Sequence, residues 1–175
     1  MTSLRWKLLA DETGAAIIEL ALIAPVLGLM IIGIVDMSNA FSRKLALEQG
    51  AQRAVERIMQ TTATDTVENT LKNEVVCQVN GTNSDGSCKT SPITTSNVTV
   101  TFRLECTDSS GAITYQTSSD PATFDGYSCT TGSSSARYLQ VQVTDQYTPL
   151  FPIHFVAIDS DGTYHMSATA GMRTS

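Results

Sequence analysis

Residues Gly14–Val35 read GAAIIELALIAPVLGLMIIGIV, and this stretch decides how the rest of the chain is arranged. Glu19 is the only charged residue in the 21 positions from Ala15 to Val35. A helix of about 20 apolar residues is long enough to span the hydrocarbon core of a bilayer. A lone carboxylate in such a span costs roughly 2.5–3.5 kcal/mol at the bilayer centre on insertion scales, so it indicates a functional residue.

Three interpretations compete for residues 1–35. A secretory signal peptide would be cleaved after Ala40, but its apolar core is normally about 7–15 residues long. A plain transmembrane anchor fits the length and leaves Glu19 unexplained. A prepilin-type signal explains both features, since a cut after Gly14 would make Glu19 the fifth residue and give Ala15 a free ammonium group. We favour this third interpretation.

The basic residues do not decide the direction of insertion. Arg5 and Lys7 precede the span, and Arg43 and Lys44 follow it, so the usual excess of cytoplasmic Lys and Arg is missing. Cysteines decide it instead, because disulfides form in oxidising compartments. The chain has four cysteines, and all of them follow the span: Cys77, Cys88, Cys106 and Cys129. We therefore expect the C-terminal part to face the periplasm of a Gram-negative cell.

Four cysteines allow three disulfide pairings. We favour Cys77–Cys88 and Cys106–Cys129, because each pair closes a loop that is rich in turn-forming residues. The alternative is four reduced, buried cysteines. In either case the cysteines are not arranged as a zinc site, since no C-x-x-C pair occurs.

Charge and motif patterns argue against several functions. From Cys77 onward the chain has four basic and eight acidic residues, so no basic stripe is available for nucleic acid. His154 and His165 have no recognisable catalytic partners, and we expect neither enzymatic activity nor a cofactor. Asp159–Gly162 resembles the start of a calcium loop, but the glutamate expected at the twelfth position is missing. A hairpin turn is the simpler interpretation, and we expect no metal site.

Beyond the span, periodicity predicts an α+β fold. The helix should run from Ala15 to Met59, with an apolar stripe in its second half that packs against a globular head or contacts a filament: Leu47, Ala51, Ala54, Val55, Ile58 and Met59. Gly50 lies in this stripe and suggests a bend. A capping box at Asp65 and Glu68 predicts a short second helix with Val67, Leu71 and Val75 on one face.

Alternating apolar residues predict strands over 98–104 and 139–143, and a weaker final strand over 164–170. Pro149 and Pro152 bracket a connection that we expect to hold a short packed helix. The prediction is a long transmembrane helix that continues into a small antiparallel-sheet head, an α+β arrangement.

The two ends of the chain resemble the TadE/TadF pseudopilins of the tight-adherence (Flp) pilus system. The resemblance is carried by Gly14–Leu27, by Gly33–Asp36 and by the C-terminal segments 138–143, 147–152 and 168–173. It implies a leader over 1–14, a transmembrane helix over 15–35, a periplasmic helix extension over 36–61 and a disulfide-containing head over 62–175.

This resemblance also implies partners and residue roles. A prepilin peptidase would cut between Gly14 and Ala15, and Glu19 would pair with the new Ala15 ammonium during assembly. The mature protein would assemble with other Tad pilins and an inner-membrane platform in pili used for surface adherence. The chain would be a substrate rather than an enzyme. A membrane-anchored periplasmic binding module without processing is the alternative.

Overall fold

The computed structural model describes residues 12–60, 67–151 and 159–174. Within these ranges the chain forms a long helix, a shorter helix and a four-stranded sheet. We number the helices α1 (Glu12–Gln60), α2 (Val67–Asn80) and α3 (Pro121–Asp125). The strands are β1 (Val98–Thr107), β2 (Ile113–Ser118), β3 (Ser134–Tyr147) and β4 (Tyr164–Arg173), and a 3-10 turn, Thr95–Asn97, precedes β1.

Helix α1 is continuous over 49 residues, with Pro25 inside it, so it is about 73 Å long at 1.5 Å per residue. Its two halves differ in burial. No residue from 17 to 35 is buried, whereas Asp36, Ala40 and Leu47 are. We call the described residues 67–151 and 159–174 the head, which covers one face of α1 from Asp36 onward.

All strand pairs in the sheet are antiparallel, in the order β2-β1-β3-β4. Strand β1 pairs with β3 along its whole length, from Val98 opposite Val143 to Thr107 opposite Ser134. Side chains alternate between buried and less buried positions along β1 and through most of β3, as half-buried strands require. The alternation predicted from the sequence is therefore observed, and both strands extend beyond the predicted ranges.

The core lies between the sheet and the two helices. Leu47, Ala51 and Ala54 of α1 are at most 1% exposed, and they share one core cluster with Leu71 and Val75 of α2. The apolar stripe of α1 therefore packs against the head rather than remaining available for a filament contact. Met59 lies at the end of the stripe, and its side chain is outside the described residues.

Gly50 has a packing role. A Cβ atom added there would lie 2.7 Å from Val79 Cγ2 and 3.4 Å from Val75 Cγ1. Glycine therefore allows α1 and α2 to approach closely at this point.

The structure confirms the α+β class and the small antiparallel sheet. Two elements were not predicted, and their residues explain why. Every side chain of β2 is exposed or half-buried, so the strand has no apolar alternation. Helix α3 has only five residues, although Asp120 caps it through the backbone N–H groups of Ala122 and Thr123. The predicted cap at Asp65 and the predicted helix after Pro152 lie outside the described residues.

Candidate functional site

The predicted cleavage site lies at the start of α1. Gly14 and Ala15 are in the first turns of the helix, which begins at Glu12. Glu19 follows one turn after Ala15 and is exposed, like its neighbours Ile17 and Leu20. Residues four apart in a helix lie on the same face, with Cβ atoms about 5–6 Å apart. The helix therefore places position 15 beside Glu19.

The surface around Glu19 is apolar over the length of a membrane span. The large hydrophobic side chains from Ile17 to Val35 are exposed by between 42% and 73%, except Ile32, which is half-buried. Among the described residues, one helix is long and apolar enough to cross a membrane, namely Ile17–Ile58 of α1, which includes this exposed part. Exposed apolar side chains in such number are stable in lipid and not in water.

Asp36 ends this apolar stretch and holds the head. Its side chain is buried, and its carboxylate accepts hydrogen bonds from Leu150 N at 2.8 Å and from Phe151 N at 3.3 Å. Tyr147 donates its hydroxyl to the same carboxylate at 3.4 Å. The carboxylate thus binds a segment more than 110 positions away in the chain at the point where the head begins.

Two basic residues make a second connection, about two turns further along α1. Arg43 Nε donates to Asp145 Oδ2 at 2.8 Å, and Asp145 is 7% exposed. Lys44 donates to the backbone carbonyl of Ser167 on β4 and lies 3.5 Å from Glu48. Arg43 and Lys44, which left the direction of membrane insertion undecided in the sequence, therefore bind the head to the helix. Asp145 continues the inward-facing series of β3, so Arg43 supplies the partner that a buried carboxylate requires.

Aromatic residues surround the Asp36 connection. The rings of Tyr147 and Tyr164 stack with their centroids 6.2 Å apart. Burial raises the pKa of Tyr147, and the nearby Asp36 carboxylate raises it further. Tyr164 also lines an apolar groove along α1 that includes Met37 and Phe41.

The four cysteines form two disulfides, Cys77–Cys88 and Cys106–Cys129. These are the pairs that the loop argument favours. The first ties the last turn of α2 to the loop after it, and the second ties β1 to the segment after α3. Both disulfides lie in the head, and all four cysteines follow the apolar part of α1 in the chain.

The segment Asp159–Gly162 forms a turn before β4. Asp159 and Thr163 are joined by a backbone hydrogen bond, and His165 Nε2 lies 2.6 Å from Asp161 Oδ2. The hydrogen bond from His165 is the main cause that lowers the pKa of Asp161 to about 2, and the same contact raises the pKa of His165. No cluster of three metal-binding side chains occurs in the described ranges. His154 lies outside the described residues.

Comparison with protein-family models matches residues 14–56 to the family described as TadE-like protein. These residues are similar to that family, and we call them the TadE-like segment. The match begins at Gly14, covers the bare half of α1 and extends through the part that packs against the head. No curated protein and no solved structure gives a significant match.

The family match confirms the resemblance to TadE-like proteins over residues 14–56, and it does not extend to the C-terminal segments. The TadE-like segment contains two acidic residues that sequence reasoning treated differently, Glu19 and Asp36. Glu19 was singled out from the sequence, and it is exposed on the bare half of α1. Asp36 was noted only as part of the resemblance. Asp36 could have been singled out from the sequence, because it is the first charged residue after the apolar stretch. Its partners could not, because they are distant in the chain.

Proposed function

We propose that this chain is a minor pilin, or pseudopilin, that helps to assemble Flp/Tad-type pili for surface adherence. Residues 15–35 anchor it in the bacterial inner membrane, residues 36–61 continue the helix into the periplasm, and residues 62–175 form the periplasmic head. The observation that carries the proposal is the TadE-like segment itself. It lies on one continuous helix, whose exposed apolar half has a single carboxylate and whose second half packs against a disulfide-bonded head.

Processing by a prepilin peptidase is part of the proposal. The peptidase cuts between Gly14 and Ala15 and removes residues 1–14 as a leader. A cut there leaves an ammonium group on Ala15, one helical turn from Glu19. The chain is therefore the substrate of the peptidase and not an enzyme. It needs no cofactor for this role.

The Glu19 carboxylate then has a partner within the membrane. An isolated carboxylate in the span is unfavourable, and an ion pair with an ammonium group reduces that cost. The ammonium belongs either to the same chain or to a neighbouring subunit. Pairing with a neighbour would favour lateral association with other Tad pilins and with the inner-membrane assembly platform. Paired in this way, the Glu19 carboxylate would promote assembly with a neighbouring subunit, and its cost in the membrane would be reduced.

The variant Glu19→Ala tests this role. We expect it to insert into the membrane normally, because it removes the only charge from the span, and to lose most surface pili. Glu56→Ala is the matched control, since Glu56 is an exposed glutamate of the same TadE-like segment beyond the span. Membrane fractionation measures insertion, and counting surface pili by electron microscopy measures assembly. Normal piliation of Glu19→Ala cells would contradict the pairing role and leave a membrane-anchored module as the better description.

A further inference from the structure

We propose that the end of the head nearest the span contacts lipid in the membrane interface. This end comprises Tyr147, Leu150, Phe151 and Tyr164, which we call the interfacial edge. The inference rests on the proposed function, because it takes residues 15–35 as the span. It adds a second membrane contact that is made by the head and not by the anchoring helix.

Hydrogen bonds fix the position of the interfacial edge relative to the span. Asp36 is the first residue after the span, and its carboxylate accepts from Leu150 N and Phe151 N at 2.8 and 3.3 Å. Those two residues therefore lie at the level of the helix where it leaves the hydrocarbon. The span of 21 residues is about 31 Å long, which matches a hydrocarbon core of about 30 Å.

The exposed side chains at this position are apolar. Leu150 is 64% exposed and Phe151 is 38% exposed, and neither belongs to the core cluster of the head. Met37 and Phe41 of α1 are also exposed, and together with Tyr164 of the interfacial edge they line one apolar groove. Apolar side chains at the mouth of a span gain from contact with the acyl-chain boundary, as they do in helices that lie in the interface.

The polar groups of the interfacial edge suit this location. Tyrosine is enriched at membrane interfaces because its ring is apolar and its hydroxyl is polar, and Tyr147 and Tyr164 stack at this end of the sheet. The buried carboxylate of Asp36 already has three donors, namely Leu150 N, Phe151 N and the Tyr147 hydroxyl. It can therefore lie close to lipid without bulk water to solvate it.

The opposite end of the sheet provides a matched control. Ile113 is 56% exposed and pairs with Thr107, which in turn pairs with Ser134 at the start of β3. Strand β3 then runs 13 residues to Tyr147, a distance of about 44 Å at 3.4 Å per residue. Leu150 and Ile113 are thus exposed apolar residues at opposite ends of one sheet.

Tryptophan fluorescence in lipid vesicles tests the contact. Trp6 is the only tryptophan of the chain, so Trp6→Phe gives a silent background. Leu150→Trp, Ile113→Trp and Leu27→Trp then place single probes at the interfacial edge, at the far end of the head and in the span. The full-length proteins are reconstituted in phosphatidylcholine vesicles that contain lipids brominated either near the headgroup or deep in the acyl chain. All three sites are exposed, so the probes replace no core contact.

We expect the Leu150→Trp probe to emit at shorter wavelength and to lose fluorescence mainly to the shallow bromines. The Leu27→Trp probe should lose it mainly to the deep bromines, and the Ile113→Trp probe should be unaffected. Quenching at position 27 without quenching at 150 would overturn this inference and leave the proposed anchor intact. No quenching at position 27 would overturn the anchor, and with it this contact. Equal quenching of the probes at positions 113 and 150 would also contradict the inference, because the lipid contact would then not be specific to the interfacial edge.

Discussion

At the scale of single residues, Asp36 joins helix α1 to the head. Its carboxylate is buried at the end of a helix surface that is otherwise apolar, and it accepts hydrogen bonds from two backbone groups and one hydroxyl. A buried carboxylate is stable only when its oxygens are satisfied in this way. Glu19 differs, since it is exposed on the bare half of the same helix. One acidic residue therefore holds the head, and the other is available for a partner.

Removing the Asp36 side chain should destabilise the head. We expect Asp36→Ala to lower the free energy of unfolding by about 1–3 kcal/mol, because the N–H groups of Leu150 and Phe151 lose their acceptor. The measurement is thermal unfolding in detergent micelles, followed by near-ultraviolet circular dichroism. Asp125→Ala is the control, since the side chain of Asp125 is 79% exposed and its oxygen lies 3.6 Å from Arg137. That variant should change stability by less than about 0.5 kcal/mol. Equal effects of the two variants would contradict the role of Asp36.

His165 should titrate above its ordinary pKa of 6.5, because Asp161 accepts a hydrogen bond from its ring. The contribution of the charged histidine to stability is complete below pH 6.5 and is lost as the pH rises through the raised pKa. The contribution of the Asp161 carboxylate is present above its ordinary pKa of 3.8 and is lost as the pH falls through its pKa of about 2.

An NMR titration of the His165 ring measures this shift. Asp161→Asn should return the pKa of His165 towards 6.5. Asp159→Asn should lower it less, since Asp159 accepts from the backbone N–H of His165 and acts on the ring only as a nearby charge. Both groups of the pair are solvent-exposed, so the shift should be visible in the titration and not in the unfolding temperature. An unchanged His165 pKa in Asp161→Asn would show that the contact does not persist in solution.

At the scale of secondary structure, helix α1 and strands β1 and β3 were predictable from the sequence because each has one buried face. Period-two alternation indicated the strands, and the apolar stripe ending near Met59 indicated the half of the helix that packs against the head. Strand β2 and helix α3 lacked such a signal, because β2 has no buried side chain and α3 is only five residues long. The close approach of α1 and α2 at Gly50 was also not predictable, because it depends on which helix packs there.

Gly50→Ala should destabilise the head although alanine is the better helix former. Alanine gains about 1 kcal/mol in helix propensity. Its methyl group, however, would lie 2.7 Å from Val79 Cγ2, and overpacking of this kind costs roughly 1–3 kcal/mol. We expect a net loss of about 1 kcal/mol in the free energy of unfolding, measured in the same micelle assay. Gly28→Ala is the matched control, since a Cβ there meets nothing within 4 Å, and it should be neutral or stabilising. A stabilised Gly50→Ala variant would contradict the packing argument.

At the scale of the whole molecule, the described chain has one long helix, whose exposed apolar half precedes the part that packs against a disulfide-bonded head. The apolar helix, the disulfide pairs and the resemblance over residues 14–56 could be inferred from the sequence, because each depends on residues that are close together in the chain. The polar contacts of the junction could not, since Asp36 and Arg43 meet partners more than 100 positions away. Sequence reasoning treated Arg43 and Lys44 as topology signals, and the structure shows that they bind the head.

The proposed cut between Gly14 and Ala15 is tested by the N-terminal sequence and intact mass of the protein extracted from native membranes. We expect a chain that begins at Ala15. Gly14→Leu should trap the uncut form, and Gly28→Leu, the same change further along the helix, should leave processing unchanged. A native chain that still begins at Met1 would contradict the claim.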